Sequence, residues 1–562
     1  MFAPSLGHDT REGGPPRALH SQNAFVQAES SPYRPVHMLP PELLANIFEE
    51  IAGTRPLPRL DRSWDDMTIA QQWIRVAWVC QYWRKIALSD PFLWGHIFLD
   101  EPRLSVDYGR TWVRRSVGAP LDVIIADIDF VDDLVLEVIF AEASRVRSLR
   151  VHHIRNNKLG RFSSADMSAL QSLSLSRDED CDEKDVTTVF GGRLSALRHL
   201  YLREITYLTS NSFVNLRSLR LADLNICGFD SDVSGKRSVV GLLTMLHASP
   251  GLRSCVFEHC ILFEAPPSSS PAQYLKFPSL ERLVLDQCSP SFQALILRRM
   301  DLSHDPTFPT HISIIHTEDL ESTFPHKDIS RIRLLQDATT FAFNLDLDFA
   351  DAYIIGSSSA LVIRQWEIQN DSAPYFNEQL NSVSSGFGNM RELWLSGESA
   401  MSGRRWRRFF SSLHVLAKLV IKFGAGTPQD RRWLLALGGE DPPGWYGTPF
   451  PAPALHTLVC LVRSSAHWAL GRPWQDMLYT RIVRGHVLHR LHVLCEREAE
   501  PSASECVDSE EEYSEEDDDE MEKTPWLFRC YNIQEVHRIC YEDVDAFPTV
   551  PMPEACTDLT YA

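Results

Sequence analysis

Any catalysis in this 562-residue chain needs a recognisable grouping of reactive side chains, and the familiar groupings are missing. There is no GxxxxGK(S/T) phosphate loop, no GxGxxG turn after a strand, no HExxH and no GxSxG elbow. Cys255, His259 and Cys260 are zinc-binding residue types. A single C-x4-C without a second pair does not complete a tetrahedral set, so these read as buried thiols on a strand. His152-His153 and the set Cys530, His537 and Cys540 read the same way. Phe423-Gly424-Ala425-Gly426 is too short to cradle phosphates and reads as a turn. Many Asp and Glu residues have the chemistry to pair in a cleft, but a single sequence does not show which, so no catalytic residue, metal or cofactor is assigned.

Two charged segments remain. Arg404-Arg405-Trp406-Arg407-Arg408, followed by Phe409-Phe410, is a basic knot suited to phosphate groups or a localisation signal. The preferred reading is the solvated face of a short helix whose Trp406, Phe409 and Phe410 point inward. Asp508 to Glu522 holds eleven acidic side chains and no base. Within it Ser509 and Ser514 each have an acidic residue three places on, Glu512 and Asp517, a spacing that suits an acid-directed kinase. An unmodified, solubilising linker is the competing reading.

The formal net charge is −20, against which no general nucleic-acid binder or anionic-membrane binder is expected. No apolar stretch has the roughly 18–20 residues of a membrane span. Leu121 to Ala143 comes nearest and is broken by seven carboxylates, Asp122, Asp127, Asp129, Asp132, Asp133, Glu137 and Glu142. The start, MFAPSLGHDTREGG, lacks the pattern of a signal peptide. Twelve scattered cysteines without a CxxC pair read as free thiols in a reducing compartment. The expected location is cytoplasmic, nuclear or both.

The elements that would position a site follow from periodicity. Residues 1–35 read as a disordered tail rich in Pro, Gly, Ser and charge. Residues 36–98 read as a small helical domain. Leu39-Pro40-Pro41-Glu42 opens a helix carrying Leu43, Leu44, Ile47, Phe48 and Ile51, and Gly53 ends it. A second helix is predicted from Thr68 to Leu88, with Ile69, Trp73, Val76, Cys80, Trp83 and Ala87 at helical steps. Asp90 then caps a short third helix holding Phe92, Leu93 and Trp94.

After a connecting segment, 99–145, the pattern changes. L-x-x-L-x-L occurs at Leu170/Leu173/Leu175, Leu197/Leu200/Leu202, Leu216/Leu219/Leu221 and Leu280/Leu283/Leu285. Roughly one strict match is expected by chance across the chain, against these four. Looser matches follow Val146, Met390, Leu416, Leu455 and Leu488. The strict matches start 27, 19 and 64 residues apart, and the last gap has room for degenerate units. The expected fold class is α/β: the helical unit followed by an irregular leucine-rich-repeat-like solenoid over 146–495. Another α/β arrangement of amphipathic strands and helices is the alternative. Residues 496–523 read as an acidic disordered linker and 524–562 as a C-terminal element packing back on the repeats.

The helical unit resembles the F-box. The likeness rests on Leu39-Pro40-Pro41-Glu42-Leu43-Leu44-x-x-Ile47-Phe48, on Val76-x-x-Val79-Cys80-x-x-Trp83-x-x-Ile86-Ala87, and on Pro91-x-Leu93-Trp94. The link from Glu50 to Gln72 is longer than usual. Trp112-Val113-x-x-Ser116-x-Gly118-Ala119-Pro120-Leu121-Asp122-Val123 and Phe277-Pro278-Ser279-Leu280-Glu281-Arg282-Leu283 are similar to segments of fungal F-box proteins with leucine-rich repeats. The resemblance implies a non-catalytic substrate receptor of an SCF-type (cullin–RING) ubiquitin ligase. Its F-box would bind a Skp-type adaptor and through it a cullin, and its repeats would hold a target protein. Adaptor contact would fall to Leu39, Pro40, Leu43, Leu44, Ile47, Phe48, Val79, Trp83 and Trp94. A non-ligase F-box scaffold, and an enzyme with an unrecognised site in 120–500, are the competing functions.

Overall fold

The computed structural model describes residues 39–52, 73–99, 105–154, 164–177, 190, 194–205, 213–226, 239–263, 275–301, 310–315, 338–345, 349–356, 359–366, 388–397, 403–422, 430–438, 450–462, 472–496 and 535–541. The 1–35 tail, the acidic run with Ser509 and Ser514, Phe423–Gly426 and Cys530 lie outside them. The chain forms two compact units, one closing at Trp94 and the other opening at Gly95.

The first unit is helical. Helix α1 (Pro41–Ile51) starts where Pro40 and Pro41 supply a preset φ and no orphan N–H, and it buries Leu44 and Phe48. The helix expected over 68–88 is instead two helices among the described residues, α2 (Trp73–Val76) and α3 (Gln81–Ser89). The break has a local cause. Cys80 is extended (φ −157°, ψ 169°) and its Sγ accepts from the Trp83 N–H at 3.4 Å as an N-cap. Arg84 Nε donates to the Ala77 carbonyl at 2.8 Å and satisfies the end of the preceding turn. Asp90 Oδ1 accepts from the Phe92 N–H at 2.9 Å and opens α4 (Pro91–Trp94), as its sequence predicts. Aromatic contacts tie the helices together. Phe48 lies 5.2 Å from Trp83, and Trp73 meets Trp94 edge-on at 5.3 Å.

The second unit is α/β and holds a 17-stranded, mostly parallel sheet. Nine strands follow one another in chain order, each parallel to the next. They are His96–Leu99, Leu121–Ile125, Val146–Ile154, Ser172–Arg177, His199–Arg203, Ser218–Ala222, Ser254–Glu258, Arg282–Asp286 and Thr310–Ile315. Three strands then run in reverse spatial order. Ser359–Trp366 lies beside Thr310–Ile315, followed by the antiparallel Phe349–Ile355 and then Thr340–Leu345. Parallel order resumes with Glu392–Gly397, Lys418–Lys422, Thr457–Val462, Arg490–Glu496 and Glu535–Tyr541. The stretch 99–145, expected as a connecting segment, supplies the strand Leu121–Ile125 and two helices, Val106–Arg115 and Asp133–Phe140.

The leucine segments explain the register. Leu149, Leu173, Leu200, Leu219, Cys255, Leu283 and Ile312 occupy one row across seven strands. Val151, Leu175, Leu202, Leu221, Phe257, Leu285 and Ile314 occupy the row two residues on, and every member of both rows is buried. Leu170, Leu197, Leu216 and Leu280 are buried from the preceding turns. The period-2 alternation of a strand puts both rows on one face. Phe292 on the helix Pro290–Arg299 packs edge-on against Phe257 at 5.2 Å, so that face is covered by the connecting segments. The 64-residue gap hides one more unit, Leu252/Cys255/Phe257, in which cysteine and phenylalanine stand for leucine. A left-handed residue recurs two places after the second row: His153, Glu204, Asp223, His259 and Gln287 have φ between 49° and 56°.

In the C-terminal part, Trp406 of the helix Gly403–Ser412 meets Trp433 of the helix Asp430–Gly438 edge-on at 5.6 Å. Trp406, Phe409 and Phe410 are buried, while Arg404 and Arg408 are exposed. Arg407 departs from the expected solvated face and is buried.

Candidate functional site

Helix α1 carries two stripes. Leu44 and Phe48 are 0% exposed, while Leu43, Ile47 and Ile51, at steps of four, are 49%, 40% and 37% exposed. Trp78 and Val79 between α2 and α3 are 71% and 61% exposed, and Leu88 and Phe92 also stand in solvent. Seven large apolar side chains exposed on a unit this small exceed the scattered exposure normal for a soluble surface. Their chemistry is that of a face for another apolar surface, with nothing among them to make or break a bond.

The nine residues named as adaptor contacts divide by burial. Pro40, Leu43, Ile47 and Val79 are exposed. Leu39 and Trp83 are half-buried. Leu44, Phe48 and Trp94 are interior, so their side chains hold the unit together rather than meet solvent. Helical spacing alone cannot separate the two stripes, because residues 43, 44, 47 and 48 all fit one broad apolar arc. Ile51 and Phe92 are exposed although each fits the predicted apolar pattern of its helix, and Trp78 and Leu88, which fall outside the predicted stripe, are exposed as well. Tyr82 braces the entry to α1 by donating its hydroxyl to the Leu39 carbonyl at 3.1 Å. Burial, with Asp90 and Glu50 adding to it, raises the Glu49 carboxyl above its ordinary range.

The sheet unit gives no catalytic grouping among the described residues. Cys255 and Cys260 are buried thiols, and no cluster of three or more His, Cys, Asp or Glu is placed to hold a metal among the described residues. Burial is the first cause pushing the Cys255 thiol above its ordinary value, which keeps it protonated and unreactive. Cys260 and Cys288 have a structural use. Each Sγ donates to a carbonyl of the preceding strand, Cys260 to Leu221 at 3.7 Å and Cys288 to Phe257 at 3.5 Å. Burial, then Arg150, His153 and Arg203, lowers His152 to about 4, so its ring is neutral at pH 7. His537 and Cys540 stand on the strand Glu535–Tyr541. Arg481 is fully buried and spends its guanidinium on backbone, donating to the carbonyls of Pro451, Ala452, Leu455 and His486. Among the described residues, no helix is long and apolar enough to cross a membrane.

Comparison with known proteins agrees with the first unit. Residues 36–100 match the family model described as F-box-like, a span that takes in the four described helices α1 to α4. No curated protein matches the chain. F-box domains are typically non-catalytic modules that generally bind Skp-type adaptors. With the proline-opened α1, the capped α3 and the closing Leu93-Trp94 all inside the matched span, residues 36–100 are an F-box-like domain.

Proposed function

We propose that this chain is the substrate receptor of an SCF-type (cullin–RING) ubiquitin ligase, acting in the cytoplasm, the nucleus or both. The observation that carries the reading is the exposed stripe Leu43, Ile47 and Ile51, with Trp78 and Val79, inside the F-box-like span. A Skp-type adaptor covers that stripe and links the chain to a cullin. The sheet unit is a leucine-rich-repeat-like solenoid that holds the target. Three recurrences support it: the L-x-x-L-x-L rows in register, the left-handed residue at a fixed place, and cysteine three places after the second row at Cys260 and Cys288. The receptor does no bond-making. It supplies proximity between a lysine of the target and ubiquitin carried by another subunit.

The test is co-purification with a Skp-type adaptor and a cullin, comparing wild type with Leu43→Asp/Ile47→Asp. Both positions are exposed, so the free unit tolerates the change, while two carboxylates in the apolar contact cost several kcal/mol, on the order of 3 or more. Wild type is expected to capture both proteins and the variant neither. Capture of adaptor without cullin would identify a scaffold instead, and no capture by wild type would overturn the reading.

A further inference from the structure

One row on the sheet carries a charge excess. At the start of successive strands, backbone bonds of 2.7–2.8 Å link Arg147, Gln171, Arg198, Arg217, Arg253 and Glu281. Adjacent strands are about 4.8 Å apart, and like charges at neighbouring places repel. The ends of the row are compensated. Arg147 pairs with Asp122 at 2.6 Å and Arg253 with Glu281 at 3.4 Å. Arg198 and Arg217, in the middle, are exposed, and among the described residues neither has a carboxylate within ion-pair distance.

The next row, on the face opposite the leucines, supplies matching groups. Ser172, His199 and Ser218 lie side by side in register there, all half-buried. The His199 Nδ1 is buried without a hydrogen-bond partner. Burial first, then Arg198 and Arg217, lowers the His199 pKa, so its neutral ring keeps one N–H to donate beside the two guanidiniums. The place thus joins two forked cations, a ring N–H and two hydroxyls, all suited to an anion.

We propose that Arg198 and Arg217, with His199, Ser172 and Ser218, dock a carboxylate-rich segment of the target protein. The inference rests on the receptor reading of the sheet unit and adds the chemistry of what it holds. A nucleic acid fits poorly. The chain's formal net charge of −20 repels a continuous polyanion, and Arg147 and Arg253 on either side are already paired with Asp122 and Glu281, so among the described residues the row offers free cations for a short acidic segment only.

The test uses the full chain and a short fluorescent peptide of alternating Glu and Ser, with a Gln/Ser peptide as control, followed by anisotropy at two salt concentrations. The Glu peptide is expected to bind at least about tenfold tighter, and more weakly as salt rises. Arg198→Glu/Arg217→Glu should abolish the preference. Arg198→Lys/Arg217→Lys keeps the charge, guards against a folding artefact and should retain only part of it. Equal binding of the two peptides, or a preference that survives the Glu variant, overturns the inference. Adaptor capture on the same samples separates the two ideas. Capture without peptide preference defeats the docking place alone, and peptide preference without capture defeats the ligase reading alone.

Discussion

Leu43 and Leu44 are neighbours in the chain and differ by half a side chain's exposure, 49% against 0%, so truncating each should damage a different property. Leu44→Ala opens a hole beneath α1. Fully buried leucines cost about 2–5 kcal/mol when cut to alanine, a large share of the roughly 5 kcal/mol that a small domain has to spend. Leu43→Ala removes a side chain already half in water. Full burial of leucine contributes about 1.5–3 kcal/mol, so the half that a partner covers is worth about 1 kcal/mol. That is roughly a fivefold loss of adaptor affinity, with the free unit's stability changed by no more than about 0.5 kcal/mol. Ile47→Ala, at 40% exposure, should behave like Leu43→Ala, and Phe48→Ala like Leu44→Ala. The assay is limited proteolysis during a thermal ramp, paired with titration calorimetry against a purified Skp-type adaptor. If Leu43→Ala lowers the transition as far as Leu44→Ala while adaptor affinity stays level, the exposed stripe is not an interface and the reasoning fails.

Two further expectations concern the sheet unit. A Cβ added at Gly438 would stand 2.8 Å from the Met477 Cα, a backbone atom that cannot step aside, whereas at Gly388 nothing lies within 4 Å. Gly438→Ala should therefore destabilise by about 1–3 kcal/mol despite alanine's better helix propensity, and Gly388→Ala should not; equal urea midpoints would contradict this. His311 is 3% exposed, and burial, with Arg282 adding to it, lowers it to about 4. Between that value and the ordinary 6.5 only the unfolded chain takes the proton. Stability is then full above about pH 6.5 and lower by about 3 kcal/mol below pH 4. His311→Gln should flatten that part of the acid dependence in urea titrations at pH 7 and 4.5, and an unchanged slope would refute the assignment.

What the sequence disclosed depended on whether a residue's type carried the structural signal. Prolines 40 and 41 and Asp90 mark helix starts because their side chains enforce or satisfy the backbone there. The last two leucines of each strict triplet lie on a strand, and the first is buried from the turn before it, because leucine at those intervals has one face to fill. Leu252/Cys255/Phe257 fills the same face with other apolar shapes and so escaped the pattern. Cys80 gave no warning of a helix break, since a thiol is seldom a cap and neither Gly nor Pro stands nearby. The division between Leu43 and Leu44 was invisible for a different reason. Periodicity finds the apolar arc, and only packing decides which half of it meets water.

The reversed triplet of strands between 340 and 366 sets the order in which the sheet can be assembled. Elsewhere each new strand emerges beside one already in place, so the sheet can grow by simple addition. Thr340–Leu345 emerges three strand places away from Thr310–Ile315, and the two strands that fill the space between, Phe349–Ile355 and Ser359–Trp366, have yet to follow. The triplet's links are short, from Leu345 to Phe349 and from Ile355 to Ser359, so it can form by itself from local contacts. It then attaches by its last strand, and its first strand becomes the template on which Glu392–Gly397 and all later strands are laid. The triplet therefore splices an array of nine strands to an array of five. A lesion within it should leave each array foldable yet part them, whereas a lesion in either array should stop at the splice.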